Sequence, residues 1–248
     1  NADIKLNNYT INNLTKTIKK YNLTHIINCV GFTDINNANK KIDECFQANV
    51  FFVKLLVNAI KNSKTNTRLI HISTDHLYSK KGMSLEDNIN ISNLYAQSKF
   101  LGEQEALKAN PIILRTNFFG DSVKLNKQSL SDWITNSLEK KNVIRCFEDI
   151  KFNPIHFSTL SNILEKFIHS KNLEGIYNAG SIDGLSKYNF AKKIAEHKNL
   201  NSNLIKKIDS DKYFEIKRPK DMRMNVSKIQ RTLKIKMPSI KEEIYKLN

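Results

Sequence analysis

Apolar positions along this chain alternate between two rhythms. Ile11, Leu14 and Ile18 recur at helical spacing, and the short buried strand "THIINCVG" follows them. A long helix from about Ile42 to Asn62 carries the stripe "FFVKLLVNAI", and the strand "RLIHIS" (68–73) comes next. A loop leads to the helix holding "YAQSKFLGEQEAL". The strand "PIILRT" (111–116) follows, opened by Pro111 where a strand's first residue tolerates proline. "SLSDWITNSLEK" reads as a helix with Trp133 in its packing face, and "NVIRCF" as a strand. "NPIHFSTLSNILEKFIHS" is a turn and then a helix, "GIYNAGS" is strand-like, and "SKYNFAKKIAEH" is helical. The C-terminal part holds "NLIKKID", the proline-bounded "IKRPKDMRMN" and short helices.

Strands separated by helices imply parallel crossovers and a sheet buried on both faces. The predicted fold is α/β, a doubly wound parallel sheet with a smaller C-terminal α/β lobe. Residues 1–150 are assigned to the sheet domain, with the chain crossing back near 151–180, and residues 151–248 mainly to the lobe. Such sheets bind ligands beyond the carboxyl ends of their strands. The segments to read for chemistry are therefore "NCVGFTD" (28–34), "STDHLY" (73–78) and "RTNFFG" (115–120).

Composition narrows the partners. Of 248 residues 40% are hydrophobic, enough for a sizeable core. No apolar run approaches the roughly 20 residues of a membrane helix, so no membrane partner is expected. Cys29, Cys45 and Cys146 are odd in number and widely separated, which suits neither a metal cluster nor a disulfide framework and predicts a reducing cytoplasm. His25, His71, His156 and His169 show no metal-ligand spacing, so no metal is expected. The formal charge of +16 invites a nucleic-acid reading. The lysines, however, are spread through "KTIKKY", "ANKKID", "EKKN" and "AKKIAEHK" and rarely interleave with aromatics, so no nucleic-acid partner is expected. Such a field attracts anionic small molecules, nucleotides among them. The chain begins at Asn1, and "NADIKL" reads as the tail of an element already under way, so an upstream segment is expected.

The chemistry concentrates in "NLYAQSKFLGE" (93–103). Tyr95 and Lys99 lie four positions apart and share a helix face. A neighbouring cation stabilises phenolate and draws a tyrosine's pKa down from about 10, which makes the phenol a usable general acid or base. Ser73 and Thr74 offer hydroxyls at a strand end to polarise the same substrate oxygen. A lone Y-x-x-x-K is weak, because a half-buried tyrosine beside a solvated lysine satisfies it equally well. The ordered set is stronger: strand, "STD", loop, N-x-Y-x-x-S-K-x-x-G-E, and a strand ending in "RT".

That set resembles the extended short-chain dehydrogenase/reductases, and within them the dTDP-4-dehydrorhamnose reductase group, over almost the whole chain. "HIINCVGFTDINNAN" resembles the family's strand followed by N-A-A-A-x-T-x-V-D-x-A-E, and "HISTDHLY" its S-T-D-Y-V-F. "NLYAQSKFLGE" resembles N-x-Y-G-x-S-K-x-x-G-E, "ILRTNFFG" resembles I-R-T-S-W-x-Y-G, and "KRPKDMRMNVSKI" resembles R-R-P-x-x-S-x-L-x-x-x-K. The resemblance implies reduction of a nucleotide-linked 4-keto-6-deoxysugar with NADP or NAD, NADPH being favoured, in surface-polysaccharide precursor synthesis. By it Thr74, Tyr95 and Lys99 are catalytic. Tyr95 would donate a proton to the keto oxygen, Thr74 would hydrogen-bond that oxygen, and Lys99 would hold the nicotinamide ribose. Asp3 and Ile4 would meet the adenine end of the cofactor, while Cys29, Val30, Gly31, Ser73 and Asn117 would line the rest of it. Asp75, His76, Phe118 and Arg218 would join Thr74 and Tyr95 around the substrate, with Arg218 on a phosphate. Thr33 and Asn49 are either neighbours of the cofactor or partners of local backbone groups. A homodimer is among the assemblies it allows.

The sequence also departs from the pattern. The glycine-rich G-x-x-G-x-x-G that cradles a pyrophosphate is missing. The expected reason is an omitted N-terminal segment of about 30 to 40 residues, the size of a βαβ portion. His76 stands where the family has tyrosine, Phe118 where it has tryptophan, and "INNAN" (35–39) where it has V-D-x-A-E. These changes spare Thr74, Tyr95 and Lys99 and fall along the sugar pocket. A nucleotide-sugar epimerase or dehydratase on the same fold is the enzyme alternative. A non-catalytic NADP-binding regulatory subunit, like that of methionine adenosyltransferase, is the other. A pure binder has no need of all three catalytic groups together.

Overall fold

A computed structural model describes residues 9–122 and 128–248. Two compact units divide the chain. The first comprises the chain up to Thr74 with Ser92–Arg115 and Ser170–Tyr177; the second comprises Asp75–Ile91, Thr116–His169 and Asn178–Asn248.

The first unit is built around a four-stranded sheet. Helix α1 (Ile11–Lys20) starts at Thr10, whose hydroxyl accepts the Asn13 N–H, and is followed by strand β1 (His25–Asn28). Helix α2 (Ile42–Phe46) runs through a π-helical turn at Gln47–Phe51 into α3 (Phe52–Ser63), which ends on Lys64 in the left-handed conformation. Strand β2 (Arg68–Thr74) is joined through helix α4 (Leu94–Ala106) to β3 (Ile112–Thr116), whose five residues are all buried. β1 pairs with β2 in parallel, Asn28 standing opposite His71. The sheet is completed by β8 (Gly175–Ala179), in the order β1-β2-β3-β8. The α1 stripe packs on Val53, Leu56, Val57 and Ile60 of α3, above Leu69 and Ile113 of the sheet. These are the apolar positions the helical spacing singles out.

The second unit contains β4 (Phe118–Phe119), helix α5 (Leu130–Glu139), β5 (Ile144–Phe147), β6 (Lys151–Phe152), β7 (Ile155–His156) and helix α6 (Phe157–His169). After β8 come β9 (Leu185–Ser186), α7 (Lys187–His197), β10 (Ile205–Ile208), α8 (Ser227–Leu233) and α9 (Ile240–Ile244). β4 pairs with β7 and β5 with β10, both in parallel, whereas β6 and β9 are antiparallel. Helices α5 and α9 open with capping boxes, Ser129 with Asp132 and Ser239 with Glu242. The core gathers Ile134, Leu138, Ile144, Phe190, Ile194, Ile240 and Ile244, with the Phe190 ring edge-on to Phe119 and Phe152 at 5.0 and 5.1 Å.

Of the two compact units, the chain leaves the first at Thr74 and again after Arg115. Phe119, Ile134, Leu138 and Ile144 from the second excursion then serve the core of the second unit. Two expectations about single elements are corrected. The long helix from Ile42 is interrupted by the π-helical turn, which turns Asn49 inward. Trp133 is 37% exposed and is therefore only partly a packing residue. Among the described residues no helix is long and apolar enough to cross a membrane.

Candidate functional site

Helix α4 owes its start to Asn93, whose side-chain oxygen accepts the Ala96 N–H at 2.9 Å. From that cap Tyr95, Lys99 and Glu103 follow at four-residue steps, so they form one column along the buried face. Tyr95 is 7% exposed, Lys99 5% and Glu103 0%. The column lies against β2, where Lys99 Nζ donates to the Ile72 carbonyl at 2.8 Å. Two residues further, Thr74 closes the strand with 5% of its surface exposed. Tyr95 packs with Ala38 and Cys45, flanked by Phe32 and Ile35.

Lys99 places an amine in this buried column. Burial draws its pKa from 10.5 down to about 8, against the opposing pull of Glu103, Cys29 and Cys45. Burial also lowers His71 well below its usual value, with the Lys99 charge adding to the effect. Neutral His71 then accepts the Asn28 side-chain N–H at its Nδ1 (3.0 Å), while Asn28 Oδ1 accepts the Val30 N–H at 3.1 Å. The loop after β1 is held from its other side by Asn49, which accepts the Phe32 N–H and donates to the Phe32 carbonyl and to Ser98 Oγ. Asn49 therefore serves local backbone. Between these anchors Gly31 leaves bare backbone beside the ammonium: a Cβ there would stand 3.2 Å from Asn49 Oδ1 and 3.8 Å from Lys99 Nζ.

Thr74, Tyr95, Lys99, Ser73, Cys29, Val30 and Gly31 all belong to the first unit. The Ser73 hydroxyl proton is committed to Glu103 at 2.5 Å. Asp75, His76, Asn117, Phe118 and Arg218 belong to the second unit. There the Asn117 amide donates to Asp75 Oδ2 at 2.8 Å, so a residue expected at the cofactor and one expected at the substrate meet each other. Burial, and then the charges of Lys187 and Arg218, pull the His76 pKa down to about 3. The Arg218 guanidinium lies 4.5 Å over the Phe214 ring. Phe118 is 53% exposed. Asp3 and Ile4 lie outside the described residues. No cluster of metal-ligating side chains occurs among the described residues.

Sequence reading did not single out Glu103, Arg115 or Lys187. Glu103 and Arg115 form a fully buried pair, Nε to Oε1 at 2.9 Å and Nη2 to Oε2 at 2.7 Å. The signal was an arginine inside the otherwise apolar strand "PIILRT", since a buried guanidinium requires a partner. The Lys187 pKa is lowered, chiefly by burial, with Asp75 opposing and Arg218 reinforcing the effect. Its place at the first position of α7 gave no hint of that.

Residues 3–247 match the RmlD substrate binding domain family. The chain belongs to that family. Its similarity to a dTDP-4-dehydrorhamnose reductase of Aggregatibacter actinomycetemcomitans is 26% identity over 227 residues, 85% of this chain and 75% of that protein. It is also 25% identical to the methionine adenosyltransferase 2 subunit beta of Xenopus laevis, over 66% of this chain and 52% of that protein. The dTDP-4-dehydrorhamnose reductase of Bacillus anthracis, solved in complex with NADP, superposes with a TM-score of 0.87 at 22% identity, covering 97% of this chain and 84% of the other. A dTDP-glucose 4,6-dehydratase from Streptomyces venezuelae, with NAD bound, superposes at 0.77 and 14% identity, covering 94% of this chain and 75% of the other. These likenesses show that the chain shares the fold of those enzymes, helices with a parallel sheet at the centre of its first unit.

Proposed function

We propose that this chain is an NAD(P)H-dependent reductase of a nucleotide-linked 4-keto-6-deoxysugar, like the dTDP-4-dehydrorhamnose reductases it resembles. The observation that carries the reading is the α4 column: a buried phenol one helical turn from a buried ammonium, anchored two residues from the strand-end hydroxyl of Thr74. Support for a dinucleotide at the first unit comes from Gly31, whose bare backbone next to the Lys99 ammonium is the kind of position that permits close approach of a ligand. Cys29, Val30 and Gly31 would lie along the cofactor's ribose and pyrophosphate, Tyr95 and Lys99 at its nicotinamide end, and the cofactor supplies the hydride when bound. Tyr95 gives its phenolic proton to the keto oxygen and is reprotonated from solvent. Lys99 stabilises the phenolate left behind, and Thr74 donates a hydrogen bond to the same oxygen. Of the remaining residues, Asp75, His76, Phe118 and Arg218 would contact the sugar nucleotide.

The match to methionine adenosyltransferase 2 subunit beta favours one second reading, a dinucleotide-binding regulatory subunit. The test is to express the protein, add NADPH and dTDP-4-dehydrorhamnose, and follow the dihydronicotinamide absorbance. Net oxidation with formation of the reduced sugar supports the reductase. Conversion without net oxidation indicates an epimerase or dehydratase instead. Dinucleotide binding with no turnover of any keto-sugar indicates the regulatory subunit.

A further inference from the structure

Glu103 sits one turn beyond Lys99 on the α4 column, fully buried, and the reaction proposed above gives it no task. Its carboxylate joins the three elements that meet around the ammonium. Arg115 of β3 grips both oxygens, Ser73 of β2 donates to Oε1, and Glu103 itself belongs to α4. The residues bound along β2 are consecutive: the Ile72 carbonyl accepts from Lys99 Nζ, the Ser73 hydroxyl donates to Glu103, and Thr74 is the strand-end hydroxyl. One fixed carboxylate therefore sets where α4 rests on β2, and with it where the ammonium ends.

We propose that Glu103 is the positioning residue of this site: pinned between Arg115 and Ser73, its carboxylate fixes where α4 rests on β2 and so where the Lys99 amine ends, one helical turn away. The proposal rests on the reductase reading for its purpose, but its physical content concerns Lys99 alone. The groups facing Lys99 come from every neighbouring element. His71 on β2 is kept neutral by burial, and Cys29, after β1, has its thiol pKa raised by burial. Cys45 on α2 is a buried thiol engaged with Ser98 Oγ at 3.2 Å, and Tyr95 is a phenol. Arg115 on β3 lies beyond the carboxylate and is neutralised by it. Among the described residues Glu103 is thus the carboxylate that acts on Lys99, and it opposes the loss of the ammonium's proton.

The experiment reads Lys99 directly. In protein carrying 13C-labelled lysine, the Lys99 Cε resonance, assigned by its disappearance in Lys99→Met, is followed against pH. Glu103→Gln alone would leave Arg115 buried without its carboxylate and is expected to unfold the chain. Two other variants are used instead: Glu103→Met with Arg115→Met, which removes both charges at similar volume, and Glu103→Asp, which keeps the pair but withdraws the carboxylate by one methylene. The double variant is expected to lower the Lys99 midpoint by at least half a pH unit, and Glu103→Asp by less. If the double variant does not fold, the Glu103→Asp midpoint alone decides between the two outcomes. A midpoint unmoved or raised makes Glu103 a structural tie only and overturns the proposal. This readout separates the two claims: a lowered midpoint in a chain that reduces no keto-sugar upholds the proposal while rejecting the reductase. If turnover is present, its alkaline limb moves down by the same amount as the resonance.

Discussion

At the scale of single residues the proposed chemistry depends on keeping an amine charged where burial opposes it. With Lys99 near pKa 8, the ammonium is present below that pH and lost above it. The alkaline limb of kcat/KM against pH is therefore expected to break near 8, falling as pH rises. Stability carries the opposite sign. Between about 8 and 10.5 the unfolded chain keeps a proton that folded Lys99 has released, so Lys99 contributes a gain in stability as pH rises through that window. Denaturant unfolding at stepped pH checks this, and Lys99→Met removes that contribution to the slope. Tyr95 and Lys99 were legible in the sequence because a helix fixes the meaning of a four-residue spacing. Glu103 entered only as the last letter of the motif, with no role given to it, although it continues the same spacing. Its importance comes from Arg115 on another strand, and no local pattern states which distant charge will face it.

At the scale of elements, α4 is held by its cap and by one close approach. A Cβ on Gly102 would lie 2.1 Å from the Asn49 carbonyl oxygen, which belongs to backbone of the π-helical turn and has little freedom to yield. Gly102→Ala is expected to cost about 2 kcal/mol or more in chemical denaturation, although alanine favours a helix elsewhere. Asn93→Ala removes the acceptor for Ala96 N–H and is expected to cost about 1 kcal/mol. A Gly102→Ala protein as stable as its parent would show that α4 and the turn do not depend on their close contact. The π-helical turn itself escaped sequence reading. The apolar stripe from Ile42 onward fits a continuous helix, and one extra residue in a turn leaves that periodicity nearly unchanged.

At the scale of the whole molecule, the order of strands and helices was legible because the hydrophobic rhythm changes between them, whereas which segments share a core was not. The core of the second unit joins Phe119 and Ile134 to Ile240 and Ile244, and sequence order holds no record of that. The charge of +16 belongs to this scale too. Its field would attract the anionic sugar nucleotide of the proposed reaction, so kcat/KM is expected to fall as ionic strength rises from about 0.02 to about 0.5 M, with kcat changing less. The central claim, that Tyr95 protonates a sugar keto group beside the Lys99 ammonium, is tested most directly by single-turnover reduction of dTDP-4-dehydrorhamnose by NADPH in Tyr95→Phe. The expected result is a rate about 100-fold or more below the parent, with dinucleotide affinity within a factor of about three by fluorescence titration. Reduction at the parent rate would contradict the claim, as would loss of dinucleotide binding in step with loss of turnover.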